Sequence, residues 1–147
     1  MPNIYEALRA DHDKQRTFLK ILVETSGAST GREEIFAKLK PELDHHAAAE
    51  DQTLYAAMLG ESLTQDKARH SVAEHKQIDD LLSELGDTEL DSPAWLPKAK
   101  KLAELVEHHL DEEEHEVFQM AGKILTKQAE QELAERYEAL RSEPAND

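Results

Sequence analysis

The sequence predicts an all-α fold, an up-down-up-down four-helix bundle with an extra C-terminal helix. Charged residues make up 33% of the 147 residues and aromatic residues only 5%, which is the profile of a helical domain. Apolar residues recur at three- and four-residue steps through four long segments and one shorter segment. The connections between these segments are short, so consecutive helices are expected to pack as antiparallel neighbours.

Each helix follows from its apolar stripe and from its start and stop signals. The five helices are expected at about Asn3–Thr25, Arg32–Leu59, Ser62 or Thr64 to Leu85, Ser92 to Ala121, and Thr126–Arg141. Residues 1–122 then form the four-helix bundle. Residues 123–147 are expected to add the last helix and a frayed tail to the same domain.

Charge and composition exclude several functional classes. The formal net charge of −15 argues against nucleic acid or an anionic membrane surface as a partner and favours cations. The chain has no cysteine, which excludes disulfides and thiolate metal sites. No apolar run approaches the ~20 residues of a membrane span, and the first residues do not resemble a signal peptide. A cytoplasmic location is therefore expected.

A short segment occurs twice in the chain. Residues 45–55 read HHAAAEDQTLY, and residues 108–118, at an offset of 63 positions, read HHLDEEEHEVF. The same offset relates Asp11-His12 to Glu74-His75. The chain therefore resembles two copies of one unit, and each copy supplies two histidines and a carboxylate.

The inward stripes of the four long helices are apolar except at one level. The polar residues at that level are His12, His46, Glu50, His75, His109 and Glu113. Burying them without partners would cost several kcal/mol or more, and a bound cation offsets that cost. Four imidazoles and two carboxylates without a thiolate suit iron, with manganese or zinc as competitors. Two carboxylates in two halves predict two ions bridged by Glu50 and Glu113.

The remaining histidines of the repeated segments are expected to lie elsewhere. His45, His108 and His115 fall on the flanks of their helices, where solvated side chains are expected. His108 is kept in reserve because it stands five residues before Glu113. Glu42 with His45, and Glu112 with His115, have the Glu-x-x-His spacing of ferritin-like sites but do not coincide under the repeat offset.

Across about residues 3–121 the sequence resembles the hemerythrin-like, or HHE cation-binding, domain family. The family's order of His, His-x-x-x-Glu, His and His-x-x-x-Glu appears as His12, His46 to Glu50, His75, and His109 to Glu113. The resemblance implies a four-helix bundle around a non-haem di-iron centre. It also implies that the two carboxylates bridge the irons.

The third helix departs from the oxygen-carrying members of that family, which have two histidines four residues apart there. The position four before His75 is Ser71, and His70 stands five before. On a regular helix His70 would lie about 140° away from His75, on the flank. A π-bulge in the third helix would instead bring His70 into the ligand set.

Several functions are compatible with such a centre. The first is a protein that binds or senses O2 or a related small oxidant (NO, peroxide), with Asp11 and Glu74 orienting the histidines. The second is an enzyme that breaks down peroxide or handles iron. The third is a helical interaction module with a structural metal. A homodimer or a signalling partner protein is compatible with the acidic surface and the last helix.

Overall fold

The computed structural model describes residues 2–142, which contain five helices and no strand. α1 is Ile4–Val23, α2 spans residues 30–59, α3 is Gln65–Gly86, α4 spans residues 95–121 and α5 is Lys127–Arg141. The all-α prediction is confirmed, and the helix ends agree with the expected ones to within three residues. The division at residue 122 stays a prediction, and the expected tail at 143–147 lies outside the described residues.

Side-chain caps fix where three of the helices begin. Asn3 forms a capping box with Glu6 at the start of α1. The hydroxyl of Ser29 accepts from Arg32 N, and the hydroxyl of Thr126 accepts from Ala129 N. These bonds satisfy amide groups that the first helical turn leaves unpaired.

The four long helices form a closed bundle and α5 packs on its outside. α1 contacts both α2 and α4, and α3 likewise contacts both α4 and α2. Of the four bundle helices, α5 has substantial contacts with α1 and α2 alone. It therefore covers one side of the bundle. Within residues 2–142, no helix combines the length and hydropathy needed to cross a bilayer.

The buried core consists of two apolar clusters. One contains Leu8, Leu54 and Phe118 and includes residues of α5, and the other contains Leu39, Leu82 and Leu102. The predicted polar level falls between them in every helix stripe. Apolar packing on both sides therefore holds a layer of buried polar side chains.

Two π-helical turns interrupt α2 and α4, at Asp51–Tyr55 and Glu113–Val117. Under the 63-residue offset they differ by one residue, because the first begins just after Glu50 and the second begins at Glu113. A π-turn adds a residue and so shifts the face that follows it. As a result Met58 and Ala121 are buried, in place of the Ala57 and Met120 expected from a regular helix.

Candidate metal centre

The six residues of the polar level converge in the middle of the bundle. α1 supplies His12, α3 supplies His75, and α2 and α4 each supply one histidine and one glutamate. None of the six is more than 8% exposed, and Glu50 and Glu113 are fully buried. The i, i+4 spacing on α2 and α4 places each histidine above its glutamate on the same helix face.

The ligand atoms form two groups of four that share both glutamates. His12 and His46 with Glu50 and Glu113 form the first position, and His75 and His109 with the same glutamates form the second position. Within each group one ligand atom per residue lies within 4.8 Å of all the others. This is the arrangement that two ions bridged by two carboxylates require.

Distances between ligand atoms are those of groups around a small cation. His12 Nε2 lies 3.0 Å from Glu113 Oε1, and His75 Nε2 lies 3.1 Å from Glu50 Oε1. The equivalent distances are 3.3 Å from His109 to Glu113 and 3.7 Å from His46 to Glu50. Ligands bound at about 2.1 Å in tetrahedral or octahedral geometry are separated by roughly 3.0 to 3.4 Å. Three of the four distances fall in this range, and the 3.7 Å between His46 and Glu50 exceeds it.

These close atoms have no other partner. The Nε2 atoms of all four histidines, both oxygens of Glu50 and Oε1 of Glu113 form no hydrogen bond within the part of the chain that the structure describes. A buried polar atom without a partner costs about 1 to 3 kcal/mol. A cation at each position would satisfy these atoms together, so the residues fit the metal that the sequence predicts.

The other ring nitrogen of each histidine is held by a carboxylate. Nδ1 of the four histidines contacts the carboxylates in this order: His12 with Glu114 at 2.7 Å, His75 with Asp51 at 2.7 Å, His109 with Glu74 at 2.8 Å, and His46 with Asp11 at 3.5 Å. A proton on Nδ1 that points at a carboxylate leaves the Nε2 lone pair directed into the centre.

The carboxylate partners follow the repeat. Asp11 and Glu74, the expected orienting residues, each serve the histidine of the following helix. Asp51 and Glu114 are related by the same offset and serve His75 and His12. Sequence reasoning missed these two, although they are the second members of the acidic pairs that the repeat displays.

Two tyrosines complete the surroundings, and neither has a counterpart in the other half. Tyr137 on α5 donates to Asp11 Oδ2, and His46 Nδ1 donates to the Tyr137 hydroxyl at 2.5 Å. Tyr55 donates to Glu113 Oε2 at 2.5 Å, whereas the equivalent residue in the second half is Phe118. The repeat pattern gave no signal for Tyr137, which lies outside the repeated unit.

Protonation in the metal-free centre is divided unequally between the two glutamates. Burial, together with the charge of the adjacent Glu113, raises the pKa of Glu50 well above its ordinary value. Burial also acts to raise the pKa of Glu113, but the adjacent Glu50 carboxyl and the imidazoles of His109 and His12 outweigh it and lower that pKa. Without metal the pair therefore shares a proton, which a bound cation must displace.

The pKa values of His12, His109 and His46 are also shifted in different directions. Burial acts to lower the pKa of His12 and of His109, but their carboxylate partners outweigh it and raise both to about 9. Burial dominates at His46 and lowers its pKa to about 4. Metal binding at neutral pH therefore releases protons from His12 and His109.

His70 does not belong to either position. Its side chain is 55% exposed, and it faces Glu74 and Glu112 on the outer surface of α3 and α4. α3 is a regular α-helix, and the π-turns lie on α2 and α4, so no bulge turns His70 inward. Ser71 is buried instead. The alternative of a third helix with a π-bulge is therefore wrong.

A cavity of about 410 Å³ reaches the centre between α2 and α3. His46, His75 and His109 contribute to its wall, and most of the remaining lining is aliphatic. Asp51, which holds His75, also lines it. A small uncharged molecule can therefore approach the second position without crossing the tightly packed side of the bundle.

The family of the chain follows from comparison with known proteins. A hemerythrin HHE cation-binding domain-containing protein of Mycobacterium kansasii, known from its crystal structure, is 29% identical with a TM-score of 0.84, covering 96% of this chain and 88% of that one. A Nostoc protein described as a DNA nickase is 24% identical over 143 residues, which are 95% of this chain and 39% of that protein's length. The hemerythrin HHE cation-binding domain model matches residues 3–121, so the chain belongs to this family.

Proposed function

We propose that this protein is a non-haem di-iron protein that binds or senses O2 or a related small oxidant such as NO or peroxide. The observation that carries the proposal is the pair of four-residue groups that share Glu50 and Glu113. Their unpaired imidazole and carboxylate atoms suit iron, with manganese or zinc as competitors. The family to which the chain belongs adds support for iron.

The side chains have separate tasks in this proposal. The four histidines would each hold an ion through Nε2, and Glu50 and Glu113 would bridge the two ions. The carboxylates on Nδ1 keep the rings oriented, and Tyr55 fixes the rotamer of Glu113 through its 2.5 Å hydrogen bond. Two iron ions would supply open coordination positions and one-electron redox steps.

The path of the oxidant is supported by the cavity beside the second position. Eight of its sixteen lining residues are aliphatic and three are aspartates, which repel anions, and its volume of about 410 Å³ exceeds what a diatomic gas or peroxide needs. The apolar clusters on both sides of the polar level exclude bulk water from the bridge. These features favour small neutral ligands over anions.

The test is to purify the chain without chelators and measure its metal content and its visible spectrum. About two irons per chain, and an absorption band that appears when O2 is added to the reduced protein and persists, are expected. Reduced protein that contains iron but shows no change with O2, NO or peroxide would contradict the proposal. Two zinc ions per chain would contradict the assignment of iron and retain the centre.

An enzyme that breaks down peroxide or oxidises iron is the second candidate. The position of His70 favours it, because each ion would then have two imidazoles and shared carboxylates, with more open positions than in an oxygen carrier. Release of O2 from added peroxide over many turnovers would support this candidate. A stable oxygenated spectrum without turnover would exclude it.

The partner classes follow from charge and from the centre. We do not propose DNA cleavage, the activity named for the Nostoc relative, because a net charge of −15 repels the phosphate backbone.

Chelation of the metal distinguishes an interaction module with a structural metal from the proposed oxidant site. Loss of helical circular dichroism on metal removal would favour that module, and a folded metal-free protein would favour the proposed oxidant site.

A further inference from the structure

A second cluster of metal-ligand side chains lies on the outer surface between α3 and α4. His70 Nε2 is 3.6 Å from Glu74 Oε2 and 3.4 Å from Glu112 Oε1. One ligand atom from each of the three residues lies within 4.8 Å of the other two. We call these three residues the outer cluster. An imidazole with two carboxylates can hold a divalent cation such as Fe²⁺, Mn²⁺ or Zn²⁺.

Histidines outside the buried centre are concentrated around this cluster. The chain has eight histidines, and four line the buried positions. His108 Nε2 lies 3.4 Å from Glu112 Oε2, and His115 shares a surface cavity of about 290 Å³ with His108 and Glu112. His115 Nδ1 donates to the Asp111 carbonyl, which leaves its Nε2 lone pair free to bind a cation. Two of the four remaining histidines thus contact the Glu112 carboxylate, and a third lines the same surface cavity.

Glu74 joins the outer cluster to the buried centre. This residue is only 6% exposed. Its Oε1 accepts a hydrogen bond from His109 Nδ1 at 2.8 Å, whereas its Oε2 faces His70. The buried Glu74 carboxylate therefore contacts His109 of the second position with one oxygen and faces His70 of the outer cluster with the other.

The outer cluster is not a by-product of the repeat. Under the 63-residue offset, the equivalents of His70 and Glu112 are the buried apolar residues Ala7 and Ala49. In the first half, the equivalent of Glu74 is Asp11, which is held by Tyr137 and Arg141. Within residues 2–142, the second half alone places a partly exposed group of three ligand-type side chains at its orienting carboxylate.

Lys67 sets the expected strength of cation binding at this cluster. Its ammonium group lies 2.9 Å from Glu112 Oε1, the oxygen that faces His70, and 2.6 Å from Glu116 Oε2. An incoming cation must displace this ammonium group from Glu112. The competition weakens binding, which suits capture and release of an ion and does not suit storage.

We infer that the outer cluster captures a divalent cation from solution and delivers it to the second position past Glu74. The inference rests on the proposed function, since it requires a buried centre to be filled. The cluster supplies ligands on the surface at one of the points where contacts from the second position reach the solvent, through His109 and Glu74.

The test measures the rate at which the metal-free full-length chain takes up Co²⁺, followed by the visible absorption of the bound ion. A double variant, His70→Ala with Glu112→Gln, is expected to load about tenfold more slowly, if the loading rate follows the lost cation affinity of the outer cluster, for which the affinity cost of losing an outer partner sets the scale. Its final content should equal that of the unmodified chain. Lys67→Gln should load faster, because the competing ammonium group is gone.

His45→Ala is the matched control, since it removes a partly exposed histidine away from the outer cluster. It should load at the unmodified rate. An unmodified loading rate in the double variant, with circular dichroism showing that it is folded, would overturn the inference and leave the buried centre in place.

A second measurement separates this inference from the proposed function. In a variant with Glu50→Gln and Glu113→Gln, the buried positions lack their shared carboxylates, and titration with Co²⁺ should detect one weakly bound ion. Adding His70→Ala should abolish that binding. If no ion binds before His70 is changed, the outer cluster is not a cation site, whatever the buried centre holds in the unmodified chain.

Discussion

The two positions of the centre have the same ligand types but different support behind their histidines. At the first position, Arg16 contacts Glu114 at 3.0 Å, and Glu114 holds His12. Asp11, which faces His46, receives the Tyr137 hydroxyl and lies 3.3 Å from Arg141. Both orienting carboxylates of the first position are therefore fixed by further side chains, and α5 covers one of them.

At the second position the orienting carboxylates are Asp51 and Glu74. Neither pairs with a lysine or an arginine anywhere in residues 2–142. Asp51 is 34% exposed at its side chain and lines the cavity, and Glu74 reaches the outer cluster. The internal repeat thus produced equivalent ligands, whereas α5 and the surface charges made their surroundings unequal. We expect the first position to retain its ion and the second to exchange it.

The largest expected effect is the loss of both ions in Glu113→Ala. Glu113 belongs to both groups of four, so its removal disables the two positions together. His75→Ala should instead remove only the ion of the second position, which is the contrast that separates shared from unshared ligands. Elemental analysis of purified protein should give close to zero and about one ion per chain. Two ions retained by Glu113→Ala would show that the positions are not bridged.

The pH dependence of stability should affect both positions in the metal-free protein. The folded pKa of His12 and of His109 is about 9, above the unfolded value of about 6.5. Their contribution is therefore complete below about pH 6.5 and is lost as the pH rises through 9. The expected loss in the free energy of unfolding is on the order of a few kcal/mol, measured by urea denaturation between pH 6.5 and 9.5.

His46 gives the opposite sign in a lower pH range. Its folded pKa of about 4 lies below the unfolded value, so its contribution is present above about pH 6.5 and is lost as the pH falls towards 4. Metal-loaded protein should show no loss on the alkaline side, because bound ions keep the imidazoles deprotonated. An equal alkaline loss with and without metal would contradict the assignment of these histidines as ligands.

Tyr137→Phe tests the support that α5 gives to the first position. The substitution leaves Asp11 and His46 Nδ1 without the hydroxyl between them, which should lower the free energy of unfolding by about 1 to 3 kcal/mol. Release of the ion from the first position to a chelator should accelerate. Arg136→Ala is the control, since Arg136 is also on α5 but donates to the Gln52 carbonyl at the surface. Equal effects of the two variants would assign the change to α5 packing alone.

Arg16→Ala should have the smallest effect. The pKa of Glu114 is lowered to about 2, first by its hydrogen bond with His12 and then by Arg16, so the carboxylate stays ionised without the arginine. Arg16 is partly exposed and pairs with Asp13, Glu107 and Asp111 as well as with Glu114. Loss of these screened surface pairs is expected to cost about 1 kcal/mol. Faster chelation from the first position, absent in the surface control Lys14→Ala, is the expected readout. No acceleration would show that Glu114 needs no arginine to orient His12.

The fold and the convergence of the six inner residues could be predicted because both depend on local periodicity. Apolar stripes at three- and four-residue steps placed His12, His46, His75 and His109 on inward faces. The repeat offset then gave their pairing with Glu50 and Glu113. Whether these residues bind metal stays a prediction of the sequence that the geometry supports.

Features that depend on irregular backbone or on distant contacts could not be predicted. The π-turns shift the buried face from Ala57 to Met58 and from Met120 to Ala121, and a regular helical period carries no sign of this shift. Tyr137 reaches His46 from a helix outside the repeat, so no internal comparison could identify it. Whether His70 points inward or outward depends on whether its helix contains a π-turn, and only the structure shows that α3 is a regular α-helix.

Chelation of the metal-loaded protein tests most directly whether two unequal, bridged positions exist. The metal retained by the chain would be followed by elemental analysis while a chelator is present in excess. We expect about two ions per chain at the start and release in two phases, with the fast phase absent in His75→Ala. A single phase that releases both ions at one rate, or a chain that holds only one ion, would contradict the account.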